Sequence, residues 1–201
     1  MSDQASTGSI LESRVATLEP APLLRAAAVT LAVLITAAAA QFTMPLPFTA
    51  VPFTFGPMAV LLTGAALGSR LGFTAQALYL AAGAAGLSVF TPSATLPPGA
   101  LRLLGPTGGY LIAYPVAAFV TGFLAERGWD RRYLASLAAM LVGLAIILAS
   151  GVTWLALVFT GSLSAAVAQG FAPFILPDLV KCAAAAAILP QVWRLYRPRT
   201  R

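Results

Sequence analysis

An acid and the chain's only lysine stand three positions apart near the end of an otherwise apolar chain, at Asp178 and Lys181. Residues with this spacing share one face of a helix, so the carboxylate and the ammonium are expected to be neighbours. The stretch from Cys182 to Pro190 that follows carries no charge. Ionisable groups at the mouth of so apolar a helix are costly, and by default they indicate a functional site. A pair that only satisfies its own charges is the alternative.

The helix that carries this pair lies within 173–193 and is predicted to begin at Pro177. Proline suits the first position of a helix, where its missing N–H costs little. Asp178 would then lie in the first turn, where the helix dipole favours a negative charge. Lys181 is expected one turn into the helix, near the outer side of a membrane.

The composition indicates an integral membrane protein, because 59% of the residues are apolar and only 9% are charged. A soluble domain carries about 25% charged residues. Apolar runs of about 20 residues recur along the chain, which suits helices that cross a hydrocarbon core of about 30 Å. We therefore predict an all-α membrane protein, a bundle of six transmembrane helices with both termini in the cytoplasm.

The chain is predicted to contain one transmembrane domain at 23–193, between a polar N-terminal segment at 1–22 and a basic tail at 194–201. Residues 1–20 are expected either to form a short interfacial amphipathic helix or to be disordered. The lone cysteine, Cys182, excludes an internal disulfide. The predicted spans are 23–42, 58–67 (or from 53), 71–90, 105–125, 133–159 and 173–193.

The basic residues test this topology. With both termini inside, Arg102 and Lys181 fall on the outer side and the other ten of the 12 Lys and Arg residues fall on the inner side. So strong a bias agrees with the positive-inside rule. The net charge of +6 therefore reports topology and does not imply nucleic-acid binding. The inner residues are Arg14, Arg25, Arg70, Arg127, Arg131, Arg132, Arg194, Arg197, Arg199 and Arg201.

The segment 43–57 contains four prolines and repeated phenylalanines. Proline prevents regular helix over much of this segment. Irregular backbone near a membrane must be buried in protein or line a cavity. We interpret the segment as a lid or wall over a binding pocket, with a merely rigid outer loop as the alternative.

Three ionisable side chains are left on the outer half: Arg102, Asp178 and Lys181. Together they offer two cations and one anion, although Arg102 could instead be a solvated loop residue. The charges of buried groups in this arrangement are best compensated by a ligand that brings one negative charge together with hydrogen-bond donors and acceptors. A small carboxylate with a polar head would fit.

Catalysis is not expected from these residues. The chain has no histidine, and Asp178 has no second acid near it. The Gly-Lys-Ser/Thr of a phosphate-binding loop is absent, since the only lysine follows Val180. We therefore expect no enzyme activity, no metal site and no cofactor. Uphill transport would need energy from a partner or an ion gradient.

Five ordered motifs carry a resemblance to a known family. They lie at 50–54 (AVPFT), 59–64 (AVLLTG), 83–90 (GAAGLSVF), 105–110 (GPTGGY) and 173–181 (PFILPDLVK). Over about residues 23–193 the chain resembles the BioY family, the biotin-binding S components of energy-coupling factor transporters. The resemblance implies a multi-pass protein of the bacterial plasma (inner) membrane that captures biotin from the outer side.

The resemblance also implies a set of substrate contacts. Asp178 and Lys181 would hold the ureido head of biotin, because a carboxylate accepts N–H bonds and an ammonium donates to a carbonyl. Arg102 is the candidate to meet the valerate carboxylate. Val51 and Phe53 of the lid would cover the apolar thiophane ring.

Two further residues belong to the expected substrate site. Tyr110, which ends the 105–110 motif, is assigned to it. Ser88 stands where the family commonly has proline, so a polar contact from Ser88 to the ureido group is expected. The chain also departs from the family at 55–57 (FGP), where Leu-Gln-Thr is frequent and a glutamine contact is lost. At 176–177 the chain has Leu-Pro where Pro-Gly is frequent in the family.

Family S components work with a transmembrane T component and two cytoplasmic ATPase subunits. Uptake of biotin without these partners is the alternative. When the subunit is alone, a homo-oligomer is a further alternative. Ala28 and Ala32 have the small-xxx-small spacing that lets another helix approach closely. That spacing fits either internal packing or docking to a separate subunit, and the resemblance favours docking. The alternative functions are an S component for another small carboxylate vitamin, and a small membrane enzyme or scaffold.

Overall fold

The structure, a computed structural model, describes residues 22–93 and 95–196, with side chains as far as residue 191. The predicted N-terminal segment before Pro22 and residues 197–201 of the predicted basic tail lie outside the described residues. A two-stranded antiparallel hairpin, β1 (Thr43–Met44) and β2 (Phe53–Thr54), follows the first helix. The α-helices in the described ranges are α1 (Pro22–Gln41), α2 (Gly56–Leu67), α3 (Ser69–Ala84), α4 (Gly108–Glu126), α5 (Tyr133–Leu155), α6 (Leu163–Gly170) and α7 (Ala172–Tyr196).

Four of the described helices are long and apolar enough to cross a membrane: α1, α4, α5 with its extension to Thr160, and α7. The chain is therefore a multi-pass membrane protein by the length and composition of its helices. The second and third predicted spans correspond to α2, with 12 residues, and α3, with 16. Both are shorter than the roughly 20 residues that a full crossing needs.

Glycines allow α2, α3 and α4 to approach closely. A Cβ added to Gly64 of α2 would lie 2.6 Å from the carbonyl oxygen of Ala118 in α4. One added to Gly72 of α3 would lie 2.9 Å from the Cα of Gly64. Such a close approach of helix backbones is typical where small residues carry helix association.

The core of the bundle lies between α4 and α5, with α2 and α7 against them. Ala117 and Ala118 of α4 are fully buried, and so are Met140 and Ile147 of α5. Small residues on one helix face larger ones on the other, which brings the backbones together. This packing holds the first residues of α4 at the same end of the molecule as the start of α7.

Hydrogen bonds between elements identify the two ends of the bundle. At one end, Trp154 Nε1 donates to the Gly105 carbonyl at 2.9 Å, and Gln41 Nε2 donates to the Phe90 carbonyl at 3.3 Å. This end, which contains Arg102, is called the Arg102 end. At the opposite end, the Glu126 carboxylate accepts hydrogen bonds from the backbone N–H and the hydroxyl of Ser69.

The helix that carries Asp178 begins earlier than the sequence predicts. It starts at Ala172, and Pro177 lies inside it. Pro173, not Pro177, occupies the first turn, where a proline removes no helical hydrogen bond. The prediction that Asp178 lies in the first turn of this helix is therefore wrong, although its spacing from Lys181 along the helix is unchanged.

Two other boundaries differ from the prediction. The third predicted span ends at Ala84 instead of Phe90, because the chain turns at Gly86, whose φ of +99° suits glycine. The connection before α7 contains a π-helical turn at Ala156–Thr160 and the short helix α6. Composition alone gave no sign of either.

Ala28 and Ala32 of α1 face the neighbouring helices α2 and α3. Ala32 is 3% exposed and belongs to a cluster with Val29, Leu67 and Ala75, against which Ala28 also packs. Internal packing therefore accounts for Ala32. The side chain of Ala32 is covered by α2 and α3 within this chain, and docking of Ala28 and Ala32 to another subunit stays a prediction.

Candidate functional site

A cavity of about 350 Å³ lies at the Arg102 end, within the range of small-molecule sites. Asp178 and Lys181 of α7, Val51 of the segment 43–57, Arg102 and Tyr110 all contribute to its lining. Five of the residues predicted from sequence for the substrate site are thus brought to one place. Most of the remaining wall is apolar and includes Leu46, Phe90, Leu111, Tyr114, Ile147, Leu148 and Phe174.

The Asp178–Lys181 pair is buried and closely bonded. Lys181 Nζ lies 2.7 Å from Asp178 Oδ1, and the two residues are 7% and 4% exposed. The predicted adjacency of acid and lysine is confirmed. Lys181 uses only one oxygen of a carboxylate that has about four acceptor positions, so acceptor capacity is left for a ligand.

Lys181 also contacts the segment that follows α1. Its Nζ donates to the Thr54 carbonyl at 2.6 Å and lies 3.7 Å from the centroid of the Phe53 ring. A cation over an aromatic face is attracted by the ring quadrupole. The pair on α7 is therefore tied to β2, and the hairpin is held against the cavity.

The structure gives Val51 and Phe53 different positions. Val51 is buried and lines the cavity. Phe53 is not among the residues that line it, and its ring instead covers the Lys181 ammonium. Thr54, which sequence reasoning did not single out, contributes through a backbone carbonyl. A carbonyl is common to every residue, so no sequence signal could have found it.

Tyr110 is fixed by its own hydrogen bond at the cavity wall. Its hydroxyl donates to the carbonyl of Gly170 at 2.8 Å, which joins α4 to the end of α6. The ring packs on Gly151 of α5, where an added Cβ would lie 2.2 Å away. A ring held in this way presents a rigid apolar surface to a ligand.

Arg102 lies in a single 3₁₀ turn, Ala100–Arg102, before α4. Its Nε donates to the Pro97 carbonyl at 3.2 Å, and its side chain is half-buried. Partial burial lowers the pKa of Arg102 from its ordinary value. A guanidinium nevertheless stays protonated at neutral pH, so the cavity contains a second cation, with donors in a planar fork.

Ser88 is not brought into the cavity. Its side chain is exposed and it lines a second hollow, of about 420 Å³, together with Gln41 and Arg102. The Ser88 carbonyl accepts a hydrogen bond from Gln41 Nε2 at 3.4 Å. The structure thus separates Ser88 from Asp178 and Lys181.

The family model described as the BioY family matches residues 12–198 of the chain. The chain is 44% identical to the probable biotin transporter BioY of Pyrococcus horikoshii over 138 residues, which are 69% of this chain and 78% of the relative. It is 39% identical to the biotin transporter BioY of Thermotoga maritima over 150 residues, 75% of this chain and 85% of the relative. With the biotin transporter BioY of Rhodobacter capsulatus it shares 37% identity over 168 residues, 77% of this chain and 84% of the relative.

The fold is similar to a solved structure, described as the S-component for biotin from an ECF-type ABC transporter. The TM-score is 0.74, and the match covers 87% of this chain and 95% of the solved one. The sequences are 24% identical over the match, so this likeness shows a shared fold. Sequence relatives and fold point to one group of proteins.

Proposed function

The chain belongs to the BioY family, and we propose that it is the biotin-binding membrane subunit of an energy-coupling factor type vitamin uptake transporter. It captures biotin from the extracytoplasmic side. The observation that carries the proposal for the site is the buried Asp178–Lys181 pair in one cavity with Arg102. Two cations and one anion leave the cavity short of one negative charge, which the carboxylate of biotin would supply.

Each part of biotin finds a chemical counterpart in the cavity. Asp178 accepts the ureido N–H groups with the acceptor positions that Lys181 leaves unused. Lys181 uses two of its three N–H donors on Asp178 and Thr54, and the third serves the ureido carbonyl. The thiophane ring lies against Val51 and Tyr110.

Arg102 serves the other end of the ligand. The valerate carboxylate accepts charge-assisted hydrogen bonds from its guanidinium, and such bonds are roughly twice as strong as neutral ones. Arg102 lies before α4 and the ureido-binding pair lies on α7, so the ligand spans between the two elements. Phe53 acts indirectly, by holding the Lys181 ammonium.

The proposed topology has six spans within 23–193, with α2 and α3 as the short ones, an N-terminal segment at 1–22 and a basic tail at 194–201. Successive helices run between the Arg102 end and the end that contains Arg70, Arg127 and Arg132. The positive-inside rule favours the arginine-rich end as the cytoplasmic side. The membrane is the bacterial plasma membrane, and the partners are a T component and two ATPase subunits.

Binding measurements on the purified protein test this function. Radiolabelled biotin is bound in detergent and competed with a panel of other small carboxylate vitamins, and mass spectrometry identifies any small molecule carried through purification. We expect biotin to compete most strongly. A different carboxylate vitamin that is retained, or that displaces biotin at lower concentration, would replace biotin in the proposal.

A further inference from the structure

The second hollow adjoins the proposed biotin cavity at the Arg102 end. It has a volume of about 420 Å³, comparable with the 350 Å³ of the cavity itself. Gln41, Leu87, Ser88, Pro97 and Pro98 line the second hollow and do not line the cavity. The residues that line both are Phe90, Pro92, Ser93, Thr95, Leu96 and Arg102.

Arg102 is the charged residue on this shared wall. Its one side-chain hydrogen bond among the described residues is donated by Nε to the Pro97 carbonyl. The guanidinium has five N–H donors, so donors remain for a ligand. In the proposed function the ligand carboxylate meets Arg102, and its carboxyl carbon therefore lies at the boundary between the two spaces.

A group attached at that carbon has room to continue into the second hollow. We propose that the second hollow is a subsite for biotin extended at its carboxyl carbon through an amide, as in biotin joined to the side-chain amine of lysine. The inference rests on the proposed function and names a further substrate class for the same site.

The lining suits such an extension. Leu87, Pro97 and Pro98 offer apolar surface to an alkyl chain, and the exposed Ser88 and the side-chain oxygen of Gln41 lie at the same hollow for a polar end. The amide carbonyl replaces a carboxylate oxygen as the acceptor for Arg102. An amide carries no charge, so its bond to Arg102 is weaker than that of free biotin.

Two ligands and a pair of matched variants test the inference. Dissociation constants for biotin and for Nε-biotinyl-lysine are measured by equilibrium dialysis on the full chain in detergent. Leu87→Trp fills the second hollow from a position that is 60% exposed and does not line the cavity. Leu104→Trp is the control, because Leu104 is 62% exposed at the same end and lines neither space.

We expect the wild type to bind biotinyl-lysine within about tenfold of biotin, a difference of about 1.4 kcal/mol. Leu87→Trp should weaken biotinyl-lysine at least about tenfold and leave biotin within about twofold, and Leu104→Trp should change neither. Arg102→Gln should weaken biotin more than biotinyl-lysine, because only biotin presents a carboxylate there.

The outcomes separate the two proposals. If the wild type binds biotin but binds biotinyl-lysine more than about tenfold more weakly, the subsite is overturned and the biotin function stands. Equal loss of biotinyl-lysine binding in both tryptophan variants also overturns the subsite. If the wild type binds neither ligand, the proposed function fails first. The wild-type comparison can overturn the subsite even where Leu87→Trp does not fold.

Discussion

The Lys181 ammonium donates to the backbone carbonyl of Thr54 at 2.6 Å, a bond that joins residues 127 positions apart in sequence. The same nitrogen is bonded to Asp178 on its own helix. A single cation therefore fixes β2 to α7 and orders the acid that faces the cavity. Substitution of Lys181 should affect both the ligand site and the wall that encloses it.

Asp178→Asn is expected to weaken biotin binding by about 1–3 kcal/mol, the usual cost of leaving a buried polar group without its partner. The amide presents one acceptor oxygen in place of two and removes the negative charge beside Lys181. Lys181→Met should also weaken biotin binding, because it removes the donor to the ureido carbonyl, and it should lower the unfolding free energy by about 3–5 kcal/mol, because it leaves Asp178 as an uncompensated buried charge. Isothermal titration calorimetry on the purified variants gives the affinities, and chemical denaturation gives the unfolding free energy.

The double variant Asp178→Asn/Lys181→Met measures the coupling between the two residues. Because they form one bonded pair, the combined loss should be smaller than the sum of the single losses. Arg70→Gln is the matched control, since it removes an exposed charge at the opposite end of the bundle. Unchanged biotin affinity in Asp178→Asn would mean that this pair does not belong to the biotin-binding site.

Phe53→Leu should lower the thermal unfolding midpoint of the ligand-free protein more than Phe55→Leu does. The Lys181 nitrogen lies 3.7 Å from the Phe53 ring centroid but 5.5 Å from that of Phe55. The closer cation–π contact contributes about 0.5–2 kcal/mol. Both variants lose the edge-to-face contact between the two rings, so their difference reports the contact with Lys181 together with the packing of Phe53 against the core. Equal midpoints would mean that Phe53 does not stabilise the ammonium.

Two substitutions test separately what the hydroxyl of Tyr110 contributes and what the position of its ring contributes. Tyr110→Phe loses the bond to the Gly170 carbonyl and should cost about 1 kcal/mol of unfolding free energy. Gly151→Ala places a Cβ within 2.2 Å of the ring, so the ring must move and biotin affinity should fall as well. Chemical denaturation and biotin titration are measured on both variants. Biotin affinity that falls more in Tyr110→Phe than in Gly151→Ala would contradict this account of the ring as the ligand-facing surface.

Glu126 caps the start of α3 from a different helix. Its carboxylate accepts from the backbone N–H and the hydroxyl of Ser69. Glu126→Ala should lower the unfolding free energy by about 0.5–2 kcal/mol, as the loss of a helix cap does. Biotin affinity should be unchanged, because this contact is at the far end from Arg102. A large loss of affinity at unchanged stability would argue for coupling between the two ends.

The sequence predicts some parts of this site better than others, for physical reasons. The contact between Asp178 and Lys181 follows from their spacing along any helix, so an incorrect helix start did not affect it. That start was misplaced because two prolines, 173 and 177, both suit a first turn. The place of Phe53 depends on the position of Lys181, which is far away in the sequence. Judged from sequence, an aromatic ring in a loop suits a contact with a ligand as well as a contact with a cation. Tertiary packing determines which of the two contacts it makes.

The number of membrane crossings is decided by where Arg70 lies. If α2 and α3 both cross, positions 44 and 101 face the outside and position 70 faces the cytoplasm. If the two helices form a re-entrant hairpin, position 70 lies at its tip and is reached from the outer side, as positions 44 and 101 are. Cysteines are introduced singly at Met44, Arg70 and Leu101, each of which is exposed in the structure. The native Cys182 is buried and is replaced by alanine in the background.

In intact cells, a membrane-impermeant maleimide should label Met44→Cys and Leu101→Cys, and Arg70→Cys only after the membrane is opened. The reason is that an arginine next to the short α2 is held on the cytoplasmic side by the positive-inside rule. Biotin binding by each variant confirms that it is folded. Labelling of Arg70→Cys in intact cells would mean that the chain has four spans and not six, with α2 and α3 entering the membrane from the outer side alone.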